Sequence, residues 1–352
     1  MTGAARLGVL VGGSKHGRAD GSVTFSLDLL DLDGEGLRVI ELDFLPHGFA
    51  TMPARPAVAA LFEKRGPHAC LVELTTGRAR PIAAGERRAF YGHGVFSPDS
   101  RYIYGVEIDT DTHEGLLVIR EASTARPLAE MKTYGKNPHE CLLLSDGATL
   151  AITNGGGPLG DTSADAAPCV TFVDLESRKL IERVPLSDPR INAGHVAVGD
   201  DGAIAVVSAP REGLRETEDD GGFSLGHRGA GLPLDKRPAP RAGAYVGESL
   251  SVAIHEPTGT ALATHPWGGA LSLWRVGDGE LLASFDLESP RGVAVTLDGR
   301  YFVVSHGKDG AVSLLDPSAR AFVAGSTRNI GRFTGSHVYT WNPVPELAFG
   351  VA

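Results

Sequence analysis

The run Gly292-Val-Ala-Val-Thr-Leu-Asp298-Gly299-Arg-Tyr-Phe-Val-Val-Ser305 decides the fold, with its continuation Ala311-Val-Ser-Leu-Leu, Asp316-Pro-Ser and Ala321-Phe-Val-Ala-Gly325. Short β-branched runs broken by Asp-Gly, a Gly-rich loop and Asp-Pro-Ser read as four strands joined by hairpin turns, Asp-Gly being the strongest two-residue hairpin signal. The same grammar recurs outward from this unit. Its opening phrase, a histidine or small residue followed by apolar residues, stands as His47-Gly-Phe-Ala, His93-Gly-Val-Phe, His139-Glu-Cys-Leu, His195-Val-Ala-Val, Ser251-Val-Ala-Ile, Gly292-Val-Ala-Val and His337-Val-Tyr-Thr. Successive anchors lie 46, 46, 56, 56, 41 and 45 residues apart, close to the roughly 40–50 residues of a four-stranded propeller blade. Ser97-Pro-Asp-Ser100, Ser145-Asp-Gly147, Asp200-Asp-Gly202 and Pro257-Thr-Gly259 occupy the turn between first and second strands. Spacing, strand count and turn position agree on an all-β, seven-bladed β-propeller, one domain over residues 1–352.

The ends and interruptions fit this frame in part. Residues 6–45 hold Leu-Gly-Val-Leu-Val, Ser-Val-Thr-Phe-Ser-Leu and Leu-Arg-Val-Ile-Glu-Leu, three strands without an inner one. His337-Val-Tyr-Thr-Trp supplies it, so the last blade is expected to be closed by strands from both termini, with no place assigned to Leu347–Ala352. Residues 211–246 are charged and then Pro-rich, and read as an irregular insertion: either disordered or a lid over the channel mouth. Residues 155–168 form a smaller excursion.

Composition bounds the chemistry. The chain has 33 basic and 43 acidic residues, a formal charge of −10, which gives nucleic acid and anionic membranes nothing to hold. A small neutral or cationic molecule is the partner most easily accommodated, and a protein partner stays open. Cys70, Cys141 and Cys169 are an odd number without CxxC spacing, and Cys141 and Cys169 lie in apolar strand patterns that read as buried thiols. Without an apolar export leader in the sequence, the expected location is the cytoplasm, or the periplasm if an export signal has been removed. Phe90-Tyr-Gly-His-Gly94 is Gly-rich, but no helix follows to make a phosphate cradle, and there is no GxSxG elbow.

What remains are the histidines. In a propeller the first strands line the axis, so His47, His93, His139, His195 and His337 come from five adjacent blades and point at one volume. The other two blades carry His265 and His306, each 14 residues after its anchor, where a second strand returns to the same face; Glu107, Asn154 and Ser208 sit at similar places. Converging neutral imidazoles suit zinc, copper, iron or nickel. The expectation is an axial metal, iron first and copper next, held by three to five of the ring histidines, with His265, His306 and Asn154 just outside. Glu107 and Glu140 are the carboxylates expected to orient ligand histidines, and Tyr91 is a hydrogen donor at the mouth or a packing residue. These three are the candidate catalytic groups of a metal-dependent oxidoreductase acting on a small molecule, the alternative being non-catalytic iron or copper handling. A polar channel without metal, or an organic-ligand site, also stays open. His16, His68, His113, His227 and His255 read as surface residues.

Phe90-Tyr-Gly-His-Gly-Val-Phe-Ser97, with Pro138-His-Glu140, Thr153-Asn-Gly-Gly156 and the opening Gly-Gly-Ser14, resembles the bacterial family called domain of unknown function 1513. The resemblance implies a seven-bladed propeller, often exported and often encoded near iron-uptake proteins of the imelysin type, and it supplies no reaction. His93 and His139 fall inside the family-like motifs; His47, His195 and His337 rest on repeat register. A likeness of site design alone links the ring to carotenoid-cleaving oxygenases, which hold iron with four histidines on a propeller axis.

Overall fold

In the computed structural model, which describes residues 6–112 and 114–351, seven antiparallel sheets form a closed ring. Blades 1 to 6 follow in chain order, spanning residues 48–83, 88–136, 138–185, 195–236, 252–286 and 293–329. Blade 7 joins the termini: Val338–Trp341 is its inner strand and Val9–Gly17, Val23–Asp31 and Gly36–Leu42 complete it. Val9 pairs with Trp341 and Gly12 with Val338, as the unpartnered N-terminal strands required. The last residues also find a place, since Gly350–Val351 pairs outside Gly36–Leu42.

The core consists of seven hydrophobic clusters, one between each pair of neighbouring blades. Strand periodicity explains how one sequence serves two interfaces. Along the second strand of blade 3, Leu150 and Ile152 face blade 2 while Ala151 faces blade 4. In blade 4, Ile204 and Val206 face blade 3 while Ala205 and Val207 face blade 5. These strands are therefore buried on both faces and read as unbroken apolar runs rather than as alternation.

Residues 211–246 require a correction. Gly222–His227 and Asp235–Lys236 are the third and fourth strands of blade 4, so the segment is half a blade framed by loops rather than an irregular insertion. Glycines at 221, 222 and 226 and a fourth strand of only two residues hide the strand pattern. His255 is also corrected: it is buried, beside Phe302 and Thr258, at the end of its strand. His68 and His227 are exposed and His16 is half-buried, whereas His113 lies outside the described residues. All three cysteines are buried free thiols. Among the described residues no helix is long and apolar enough to cross a membrane.

Closure of the ring rests on Trp341, which is 5% exposed in the cluster between blades 7 and 1. Trp341→Ala is expected to cost about 3–5 kcal/mol, while Leu232→Ala, at a residue 68% exposed, stays within about 0.5 kcal/mol. Urea midpoints of the two variants measure the difference.

Candidate metal centre

The five ring histidines stand at or just before the inner strands of blades 1, 2, 3, 4 and 7, and all point at the axis. In blades 2 and 3 the inner strand bulges at the histidine: the register slips opposite Gly105–Glu107, and again between Pro138 and Cys141. A bulge re-aims one side chain without ending the strand. Gly92, beside His93, has φ +112°, and a Cβ there would lie 2.6 Å from Cδ2 of His47. Both the backbone turn and the space for a neighbouring imidazole therefore demand glycine.

The imidazoles form one packed group. In nine of the ten pairs the ring centroids lie 3.9–5.4 Å apart, and the residues are 4–7% exposed. The ligand nitrogens of His47, His93, His195 and His337 lie within 4.8 Å of one another. His139 joins through His195, whose Nε2 lies 2.7 Å from Nε2 of His139, 2.8 Å from that of His337 and 3.3 Å from that of His47. Blade 5 contributes a backbone group that sequence motifs cannot reveal: the Leu250 carbonyl accepts a 2.6 Å hydrogen bond from His195 Nδ1. That bond fixes the tautomer and leaves the lone pair of Nε2 facing the group. Nε2 of His93 is buried without a hydrogen-bond partner.

Burial, followed by repulsion from the other imidazoles, holds His47 and His195 well below the usual imidazole range. For His139, burial is followed by the Lys64 ammonium, and for His337 by His93 and then Lys64. His93 is pulled down to about 3, by burial and then Lys64. Glu140 is the one carboxylate in contact with the group among the described residues, with Oε1 3.7 Å from His93 Nδ1. Its Oε2 accepts the Val196 N–H at 2.7 Å, and burial pushes its carboxyl up to about 8.

The remaining candidates go elsewhere. Glu107 lies 2.6 Å from Arg120 in a buried ion pair, with Arg120 over the Phe90 ring. Asn154 donates to Thr171 Oγ1 at 3.1 Å and touches no histidine. His265 lies between Ser249 and Ser272, and His306 bonds Ser313, each at 2.8 Å. The second strands carry these residues back toward the same end of their blades, but there they bond to Arg120, Thr171 and nearby serines rather than to the ring imidazoles. Tyr91 sets its ring edge-on to His139 with centroids 5.5 Å apart, and its hydroxyl accepts a 2.9 Å hydrogen bond from Arg65 Nε. Arg65 and Lys64 escaped sequence reasoning because they follow a second strand and belong to no anchor. The signal was a Glu-Lys-Arg-Gly turn at a propeller mouth.

Residues 41–328 match the family described as "Protein of unknown function (DUF1513)". The chain belongs to this family. No curated protein matches it. Among solved structures, this family member is similar in fold to Kuenenia stuttgartiensis hydrazine synthase, with a TM-score of 0.65 and 14% identity over 86% of this chain and 94% of that one.

The electrostatics predict an acid-labile metal-free protein. Imidazoles ionise near 6.5 when unfolded, but His93 only near 3 in the fold, so the unfolded chain binds more protons below 6.5. Stability is intact above that pH and falls below it, by about 1.4 kcal/mol per pH unit for each such histidine. Glu140 acts oppositely: its raised value favours the fold below 4.5, and that contribution fades as pH climbs to about 8. Urea midpoints of chelator-treated protein should therefore peak near neutrality, drop steeply on the acid side and decline gently on the alkaline side, with the alkaline decline absent in Glu140→Gln.

Proposed function

We propose that the histidine group holds a transition-metal ion, iron first and copper next, and that the protein is a metal-dependent oxidoreductase acting on a small molecule. The observation that carries this reading is the convergence on His195 Nε2. With Nδ1 committed to Leu250, this nitrogen offers one lone pair to three imidazole nitrogens at 2.7, 2.8 and 3.3 Å. One N–H can satisfy it; the other contacts repel unless a cation lies among them. Nitrogens bound at 2.0–2.1 Å to a common ion lie about 2.9 Å apart at octahedral angles and about 3.4 Å apart at tetrahedral ones, and the observed contacts fall in and just below that span. The partnerless Nε2 of His93 supplies a further donor.

Five neutral donors exceed the four of a closed tetrahedral zinc site and suit an ion of higher coordination number, leaving one position for a small molecule. When bound, such an ion supplies Lewis acidity and one-electron chemistry. The protein's own residues set its surroundings. Leu250 orients His195 through a hydrogen bond, Glu140 places its carboxyl 3.7 Å from His93 Nδ1, and burial keeps the imidazoles neutral and ready to donate. Tyr91, tied to Arg65, closes one side of the mouth. Arg65 also reaches Glu212, on a loop of blade 4, at 3.3 Å, so the strand laid on blade 2 is tied to blade 4.

The near-complete burial of the group, at 4–7% exposed, favours a second reading in which the ion is stored or passed on rather than used. Oxygen consumption by the iron-loaded protein separates the two. For the shared premise, protein purified without an affinity tag and reconstituted anaerobically with ferrous iron is expected to hold one ion per chain by elemental analysis. His93→Ala and His139→Ala should each lose tight binding while keeping the β-sheet circular dichroism, and Glu140→Gln should weaken binding about 10–100-fold. Glu107→Gln is expected to keep full metal content while costing about 3–5 kcal/mol of stability, the effect of leaving Arg120 buried and unpaired. Wild type holding no transition metal after reconstitution would end the metal reading.

A further inference from the structure

The mouth beside the five imidazoles carries charges that the metal reading leaves unused. Lys64–Gly66 is a short strand laid on the inner strand of blade 2, with Lys64 opposite Tyr91, two residues from His93. Lys64 is half-buried and makes no ion pair among the described residues. Tyr91, its partner in that pairing, sets its ring edge-on to His139, and the Lys64 charge adds to burial in lowering the pKa of His47, His93, His139 and His337. The neighbouring Arg65 is engaged by Tyr91 and Glu212. Half-buried Arg291, just before the first strand of blade 6, gives Nε to the Gly335 carbonyl at 3.0 Å and likewise makes no ion pair among the described residues. It precedes Gly292, where a Cβ would lie 3.0 Å from Cα of His337. Glu248 is the acidic group that acts on both Lys64 and Arg291.

Charge counting then points one way. Five neutral imidazoles bring no negative charge to a divalent ion, and Glu140, whose carboxyl burial pushes up to about 8, brings at most one. Lys64 and Arg291 add two positive charges against the single Glu248. A buried excess of positive charge is costly unless an anion joins it. The imbalance is local, because the chain as a whole carries −10, and it reverses the partner charge that composition alone favours.

We propose that the mouth takes a small monoanionic ligand, a carboxylate or comparable oxyanion, with its charge held by Lys64 above the imidazole group. The ion's charge in this count rests on the metal reading above; the placement of Lys64 does not. In this arrangement Lys64 sets the substrate class, and the charge-assisted hydrogen bond it makes is of the strong kind.

Calorimetric titration with acetate, nitrate and the neutral analogue acetamide tests this, using zinc-loaded and metal-free protein. Acetate binding to the loaded wild type is expected to exceed acetamide binding by at least about tenfold. Lys64→Met should lose about the same factor at unchanged metal content, and Lys64→Arg should recover most of it. Nitrate binding as acetate does assigns the site to oxyanions in general, and acetate alone binding assigns it to organic acids; either supports the proposal. Equal acetate affinity in wild type and Lys64→Met, or acetamide binding as tightly as acetate, overturns it. Should Lys64→Met fold poorly, the acetate–acetamide comparison in wild type decides. If wild type takes up no metal, the metal reading fails by itself and the metal-free titration decides for Lys64. Acetate binding that Lys64→Met abolishes would then retain the anion site, and no acetate binding by wild type would end it.

Discussion

The pairing of Val338–Trp341 with Val9–Gly12 is the contact on which the rest depends. Without it blade 7 has no inner strand, the cluster between blades 7 and 1 loses Trp341, and the ring has two open edges. The same pairing delivers His337 to the axis, 2.8 Å from an imidazole 142 residues earlier in the chain. Fold closure and assembly of the histidine group are thus one event. Each blade is held by clusters on both sides, so seven interfaces together fix positions that no single blade could fix.

That rigidity matters because the histidine group is not comfortable by itself. Buried imidazoles with facing lone pairs would separate if their strands were free to move, since each would do better in water. They are held by bulged strands, by Gly92 beside His47, and by the Leu250 carbonyl that fixes the orientation of His195. Local frustration kept in place by surrounding packing is a mark of a site built for something other than stability. Glu140 has the same character: its carboxyl is buried beside His93 with a single backbone N–H for support.

Sequence reasoning and structure part company in an instructive way. The five ring histidines were legible because repeat register is a symmetry, and a symmetry converts position in the chain into position in space. His265 and His306 obeyed the register too, yet the residues next to them decided otherwise: Ser249, Ser272 and Ser313 lie within hydrogen-bond reach, and each imidazole bonds within its own blade. Glu107 follows the same rule, since the Arg120 guanidinium from the neighbouring strand reaches it at 2.6 Å and outcompetes any distant imidazole. Blade 4 hid its outer half because glycines and a two-residue strand carry little propensity, and pairing with neighbours overrides that weakness.

By itself, then, the sequence determined the all-β class, the seven repeats, the sharing of the last blade between the termini, and the five histidines that meet. All of these follow from periodicity, turn chemistry and register, which are local or repetitive properties. Only the tertiary structure decided which carboxylate touches an imidazole, that the Leu250 carbonyl just before blade 5 sets the tautomer of His195, and that Lys64, laid against Tyr91, makes no ion pair among the described residues. Those are contacts between residues with no fixed spacing in the chain, settled by which partner lies nearest once the ring has closed.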